Sequence, residues 1–102
     1  MSAFSLHFNQ YKRFRQGDEM QQLAAKYYVK GAGDALLFSN GYLDSEGQKK
    51  LYCQPNKLSL GPENYINILE EEIKLTPDVQ KVDYPVSLLL LWGLQRVFPC
   101  SK

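Results

Sequence analysis

The sequence predicts a small all-α domain of four helices, stapled by one disulfide. Three observations lead there. Apolar residues recur at three- and four-residue spacing in four separate stretches, the period of a helix that buries one face. Glycine and proline fall between those stretches, at Gly17, Gly41, Gly61-Pro62 and Pro77, where such residues end helices. The chain also holds two cysteines, Cys53 in its middle and Cys100 beyond its last apolar segment.

The first helix is expected from about Phe4 to Arg15. Phe4, Phe8, Tyr11 and Phe14 form one aromatic stripe, with Leu6 offset, and Gly17 ends it. Asp18 then stands as the N-cap of a second helix, with Glu19 in the first turn, where a carboxylate complements the helix dipole. This helix reads to about Asn40, with Asn40-Gly41 as its stop signal. Its apolar face is expected to hold Met20, Leu23, Ala24, Tyr27, Tyr28, Gly31, Ala35 and Phe38.

Residues 42–61 read as non-helical, broken by Asp44, Ser45, Gly47, Gln54-Pro55-Asn56 and Gly61-Pro62. A connection of about twenty residues is long for a compact domain, and Cys53 is its natural pin. The third helix opens at Pro62, a residue suited to a first turn, and runs to about Leu75. Ile66, Leu69 and Ile73, helped by Tyr65, face the core, and Thr76-Pro77 stops the helix. Asp83 is expected to cap the fourth helix, which runs from Tyr84 to about Phe98. Val86, Leu88 to Leu91, Trp92, Leu94, Val97 and Phe98 leave it little polar face. A helix of that kind is central, or it is half covered by a partner chain.

A Cys53–Cys100 bond would close a loop of 47 residues. By loop entropy it would stabilise the fold by roughly 4 kcal/mol. Such a bond persists in an oxidising compartment. The alternative is two unrelated free thiols.

At 102 residues the chain is read as one domain, residues 1–102. Twelve basic and eleven acidic residues give a net charge of +1, so no global field selects a partner. Nucleic acid is a poor candidate, because the only dense basic stretch, Lys12-Arg13-Arg15, carries no recognition motif. Seven tyrosines and five phenylalanines are generous for the length and suit an interface. The longest apolar run, Val86 to Leu94, is too short to span a bilayer, so membrane insertion is not expected. No apolar leader is visible after Met1. The sequence is then either cytosolic or begins after a removed leader, and the cysteine pair favours the second.

Few residues offer chemistry. Gly31-Ala32-Gly33 lacks the third glycine and the preceding strand of a dinucleotide fingerprint. Its glycines are better explained by close approach of another helix, with Gly93 of the fourth helix as the expected neighbour. His7 is the only histidine and is read as a helix-surface residue. One histidine and two cysteines at 7, 53 and 100 show no metal-ligand spacing. Glu70-Glu71-Glu72 are consecutive, so they fan around a helix as a solvated face or a partner patch. No nucleophile elbow, phosphate loop or cofactor motif is present, and a catalytic role is not expected.

Three motifs together carry a resemblance. Tyr27-Tyr28-Val29-Lys30-Gly31-Ala32-Gly33-Asp34-Ala35-Leu36 is similar to a helix of the Rap/Tai immunity proteins. Cys53-Gln54-Pro55 resembles their Cys-x-Pro turn. Tyr84-Pro85-Val86 through Leu94, with Phe98-Pro99-Cys100, resembles their last helix and its ending. The likeness spans about residues 18–100. It implies a bacterial periplasmic protein that neutralises a peptidoglycan amidase delivered by a type VI secretion system. The implied target is a papain-like hydrolase with a Cys nucleophile and a His base, which the immunity protein blocks by occlusion. The resemblance also implies a homodimer that presents its third helix to the toxin, a role which the over-apolar fourth helix and the aromatic first helix would suit. The residues placed there for contact are Asn64, Asn67, Glu70, Glu71 and Lys74, with Pro77, Asp78, Gln80 and Lys81 in the following loop. The fallback contact surface is loop 42–61, with Tyr42, Lys49, Lys50 and Tyr52. Rival classes are a periplasmic acid-stress chaperone, a small enzyme built around His7 or Cys53, and an uncharacterised periplasmic binding module.

Overall fold

The computed structural model describes residues 6–101. Its helices are α1 (Phe8–Arg15), α2 (Glu19–Ser45), α3 (Pro62–Leu75) and α4 (Val86–Val97). Cys53 and Cys100 are joined in a disulfide. The four-helix, single-disulfide architecture is therefore the one expected. Among the described residues no helix is long and apolar enough to cross a membrane.

Helix α1 starts at Phe8, and Phe4 lies outside the described residues. Leu6 and His7 lie outside the helix because the chain there pairs with the segment Tyr84 to Val86. The Phe8 amide donates to the Tyr84 carbonyl at 2.8 Å, and the Val86 amide donates to the Leu6 carbonyl at 2.8 Å. His7, expected on a helix surface, is instead the half-buried N-cap residue of α1 within this bridge. Asp83 does cap a helix, but it caps α1. Its Oδ1 accepts from the Asn9 amide at 2.8 Å, while Pro85 occupies the N-cap of α4. One carboxylate thus satisfies an orphan amide 74 residues away in sequence.

Helix α2 begins with the expected Asp18 cap: its Oδ1 accepts from the Gln21 amide, and Gln21 Oε1 accepts back from the Asp18 amide. It does not stop at Asn40. It continues to Ser45 and ends at Gly47, whose φ of +72° suits a residue without a Cβ. Gly47 and Gln48 donate back to the Asp44 and Leu43 carbonyls, closing a Schellman motif. The irregular connection is accordingly shorter, 46–61. Asn40 fails as a stop because its side chain is committed elsewhere. It is buried, its Nδ2 donates to the Tyr52 carbonyl at 2.7 Å, and its Oδ1 accepts from the Leu51 amide at 2.6 Å.

The face α2 buries is not the one expected. Ala25, Val29, Gly33 and Asn40 are buried, with Ala32, Leu36 and, of the expected residues, Tyr28 packed partly against the core. Met20, Leu23, Tyr27 and Phe38 are exposed. The helix is apolar on two opposite sides, and the small-residue side faces inward because it lets neighbours approach closely. The ring of Tyr65 on α3 occupies the space where a side chain at Gly33 would stand. The atoms nearest to Gly93 do not come from that glycine motif. Gly93 packs on α3 instead, against Ile68 and its carbonyl oxygen. Gly31 meets nothing within 4 Å.

Helix α4 is the central element. Val86, Leu89, Leu90, Gly93 and Leu94 are buried, and α2 and α3 both pack on it. Its apolar excess is therefore mostly covered within the chain. The aromatic face of α1 is likewise internal: Phe8 and Tyr11 are buried and Phe14 packs partly against the core.

Candidate partner-binding surface

Helix α3 forms the floor of the candidate surface. Tyr65, Ile66 and Leu69 anchor it in the core. Asn64, Asn67, Glu71 and Lys74 are exposed on its other side. Asn64 also holds the start of the helix, because its Oδ1 accepts from the Gly61 amide at 2.8 Å.

The three consecutive glutamates separate into three environments. Glu70 turns toward α1, where its Oε2 accepts from the Tyr11 hydroxyl at 2.8 Å and from Arg15 Nε at 3.1 Å. Glu72 turns toward α4 and pairs with Arg96 at 2.9 Å. Of the three, only Glu71 is exposed. Glu70 and Glu72 are thus tie-points between helices rather than a plain solvated face. Burial, and then the Glu70 carboxylate, hold the Tyr11 hydroxyl protonated well above the usual tyrosine range.

The loop after α3 is exposed at Pro77, Asp78, Gln80 and Lys81 and anchored at Val79, which is buried. Several bonds order it. Thr76 Oγ1 donates to the Glu72 carbonyl, and the Lys81 and Val82 amides donate to the Asp78 carbonyl. The Tyr84 hydroxyl donates to the Asp78 carboxylate at 2.8 Å, which raises the pKa of that hydroxyl. The Tyr84 ring is itself set edge-on against Trp92, with centroids 5.4 Å apart.

Between α1, α3 and this loop lies an open groove of about 260 Å³. Phe8, Tyr11 and Ile73 give it an apolar floor, and Lys12, Arg15, Glu70, Lys74 and Gln80 stand around it. Three of the nine expected contact residues, Glu70, Lys74 and Gln80, therefore meet at one groove. Asn64 and Asn67 do not line it. Lys12 and Arg15 were not among the expected contact residues, because nothing in a helical pattern says that α1 and α3 share a groove.

The fallback surface divides differently. Tyr42 and Lys49 are exposed and Lys50 is half-buried, but Tyr52 is wholly buried and cannot meet a partner. With both cysteines bonded, neither supplies a thiolate for His7 to activate. Among the described residues no three His, Cys, Asp or Glu side chains gather as a metal site. No family model, no curated protein and no solved structure matches the chain.

Proposed function

We propose that this protein is an immunity protein. In this reading it binds a type VI secreted peptidoglycan amidase in the bacterial periplasm and occludes the amidase's active-site groove. It does so without chemistry or a cofactor of its own. The observation that carries the reading is the ordered ridge formed by α3 and loop 76–83 beside the α1–α3 groove. Binding by occlusion rewards a surface that is already ordered, because fewer side chains and less backbone must be frozen on contact. Here Glu72, Asp78 and Val79 fix the loop from within, while Glu71, Lys74, Gln80 and Lys81 remain available. The apolar floor flanked by Lys12, Arg15 and Lys74 suits a partner segment that joins a carboxylate to an apolar side chain. The disulfide is compatible with an oxidising compartment.

The test is capture by the oxidised protein of amidases from a panel of type VI effectors, with cell-wall cleavage measured alongside. Capture with loss of cleavage is expected. The double substitution Glu71→Ala, Lys74→Ala should weaken capture at least tenfold and leave the helical spectrum unchanged. Failure to capture any member would remove the immunity reading.

The chaperone reading has one observation on its side, the exposed apolar side of α2. It requires that the oxidised protein loosen in acid and suppress aggregation of a client, which dye binding and light scattering would show. In the immunity reading the chain forms a homodimer. The surfaces that the sequence suggests for it, on α1 and α4, are mostly covered within the chain.

A further inference from the structure

We infer that the groove between α1 and α3 is a binding site for a small monocarboxylate carried on an apolar body, an aromatic or branched-chain acid. Such a ligand is a free small molecule rather than a partner surface. Its binding is tested without any toxin, so it stands or falls apart from the immunity reading.

Helical spacing assembles the site from two faces. Phe8, Tyr11, Lys12 and Arg15 share one side of α1, and Glu70, Ile73 and Lys74 share the facing side of α3. Phe8, Tyr11 and Ile73 supply the apolar floor, extended by the methylene stems of Lys12 and Lys74. At about 260 Å³ the groove falls just under the roughly 300–1,000 Å³ of sites that hold drug-sized molecules. It suits a ligand with a single ring or a single branched chain.

The charges around the groove say what that ligand carries at its other end. Three cations, Lys12, Arg15 and Lys74, line it against one carboxylate, Glu70. Glu70 is already engaged: its Oε2 accepts from the Tyr11 hydroxyl at 2.8 Å and from Arg15 Nε at 3.1 Å. Among the described residues neither Lys12 nor Lys74 has an ion-pair partner, and no carboxylate other than Glu70 pairs with Arg15. A guanidinium bonded through Nε keeps its Nη1–Nη2 edge for a second carboxylate, in the bidentate geometry that arginine favours. Glu70 thereby holds the fork in place before any ligand arrives, which lowers the entropy cost of binding. Because the Tyr11 hydroxyl and Arg15 Nε share one oxygen, the guanidinium lies beside the end of the apolar floor. The ligand's carboxylate must therefore join its apolar body by a short link. An inorganic anion would leave the floor uncovered, and a neutral apolar molecule would leave the excess of positive charge uncancelled.

The test is an amide NMR titration of the oxidised full chain with phenylpropionate, with its neutral amide phenylpropionamide, and with acetate, each to about 10 mM. Phenylpropionate is expected to saturate, with shifts gathered on Lys12, Arg15, Ile73, Lys74 and Gln80, and to bind about tenfold or more tighter than the amide or acetate. Lys12→Glu with Lys74→Glu, both at exposed positions, should weaken binding about tenfold or more with an unchanged helical spectrum. Arg15→Lys keeps the charge and loses the fork, and should weaken it about threefold or more. No saturable shift from phenylpropionate would overturn the inference. So would an amide that binds as tightly as the acid, shifts gathered away from the groove, or an affinity that all these variants leave unchanged. An end-blocked peptide with aspartate beside phenylalanine supplies a further arm. If it binds the groove and phenylpropionate does not, the groove docks a protein segment and the small-molecule assignment fails.

Discussion

Replacing Asn40 by alanine probes the one buried polar side chain among the described residues. Asn40 ties α2 to the chain segment that carries Cys53. Its amide makes two bonds, donating to the Tyr52 carbonyl at 2.7 Å and accepting from the Leu51 amide at 2.6 Å. Alanine removes both and offers nothing in return. A buried backbone group left without a partner costs about 1–3 kcal/mol. Leu51 is only half-buried, so water can recover part of its loss, whereas Tyr52 is wholly buried. The expected loss is then roughly 3 kcal/mol, the lower middle of the range for two such groups. At 4–8 °C per kcal/mol for a domain of this size, the Tm should fall by roughly 12–24 °C. Urea unfolding of the oxidised protein, followed by circular dichroism, measures the free-energy loss, and a thermal melt measures the shift in Tm. Asn40→Asp sharpens the test. Aspartate keeps the acceptor for the Leu51 amide but turns a carboxylate toward the Tyr52 carbonyl, so burial and that carbonyl should raise its pKa. The folded state would then hold a proton that the unfolded state releases. Its stability would be highest below the ordinary carboxyl range of about 4 and would fall as pH rises through the raised value. If Asn40→Ala costs less than about 1 kcal/mol, the side chain is not a clamp and the argument for the continued helix fails.

Three further outcomes are expected. Gly33→Ala should destabilise by about 1–3 kcal/mol, because the new Cβ would stand 2.5 Å from the buried Tyr65 ring. The matched change Gly31→Ala, in open space, should stabilise by up to about 1 kcal/mol; equal effects at the two sites would refute the packing account. Tyr52→Phe should be neutral or stabilising near pH 7, since the buried Tyr52 hydroxyl has no hydrogen-bond partner among the described residues. Burial, and then Tyr65, push that hydroxyl up to about 12. Wild-type stability should therefore be lost as pH rises from the unfolded tyrosine value of about 10 through that point, and urea midpoints at pH 9 and 11 should fall less in the phenylalanine variant. Reducing the disulfide, or replacing both cysteines by serine, should cost about 4 kcal/mol. Part of the docking of the C-terminal end should survive, because the Cys53 amide still donates to the Phe98 carbonyl and Gln95 Nε2 to the Leu51 carbonyl. An unchanged urea midpoint would argue against the pinned-loop reading.

Much of the candidate surface is legible in the sequence. Pro62 in the first turn, the Ile66–Leu69 face and the Thr76-Pro77 stop place α3, and its polar side follows by subtraction. What could not be read is the traffic between helices. Glu70 was expected to point outward with Glu71, yet it serves Tyr11 and Arg15 on α1. Tyr52 was offered as a contact residue and is wholly buried. Neither error has a local signal that would have prevented it, because a tyrosine in a loop and a glutamate in a polar run look the same whichever way they turn.

The number and order of the helices, the Asp18 cap and the proline start of α3 were legible in the sequence, as was the pairing of the only two cysteines, for which two free thiols stood as the alternative. Each rests on residues within a few positions of one another, or on there being one possible partner. Contacts across the fold decided the rest. Asp83 caps a helix 74 residues away, Asn40 clamps a loop rather than ending a helix, and α2 turns its small side inward. Periodicity cannot choose between two apolar sides of one helix. That choice falls to packing, which puts Gly33 under Tyr65 because a small domain gains most from close approach and leaves the larger side chains outside.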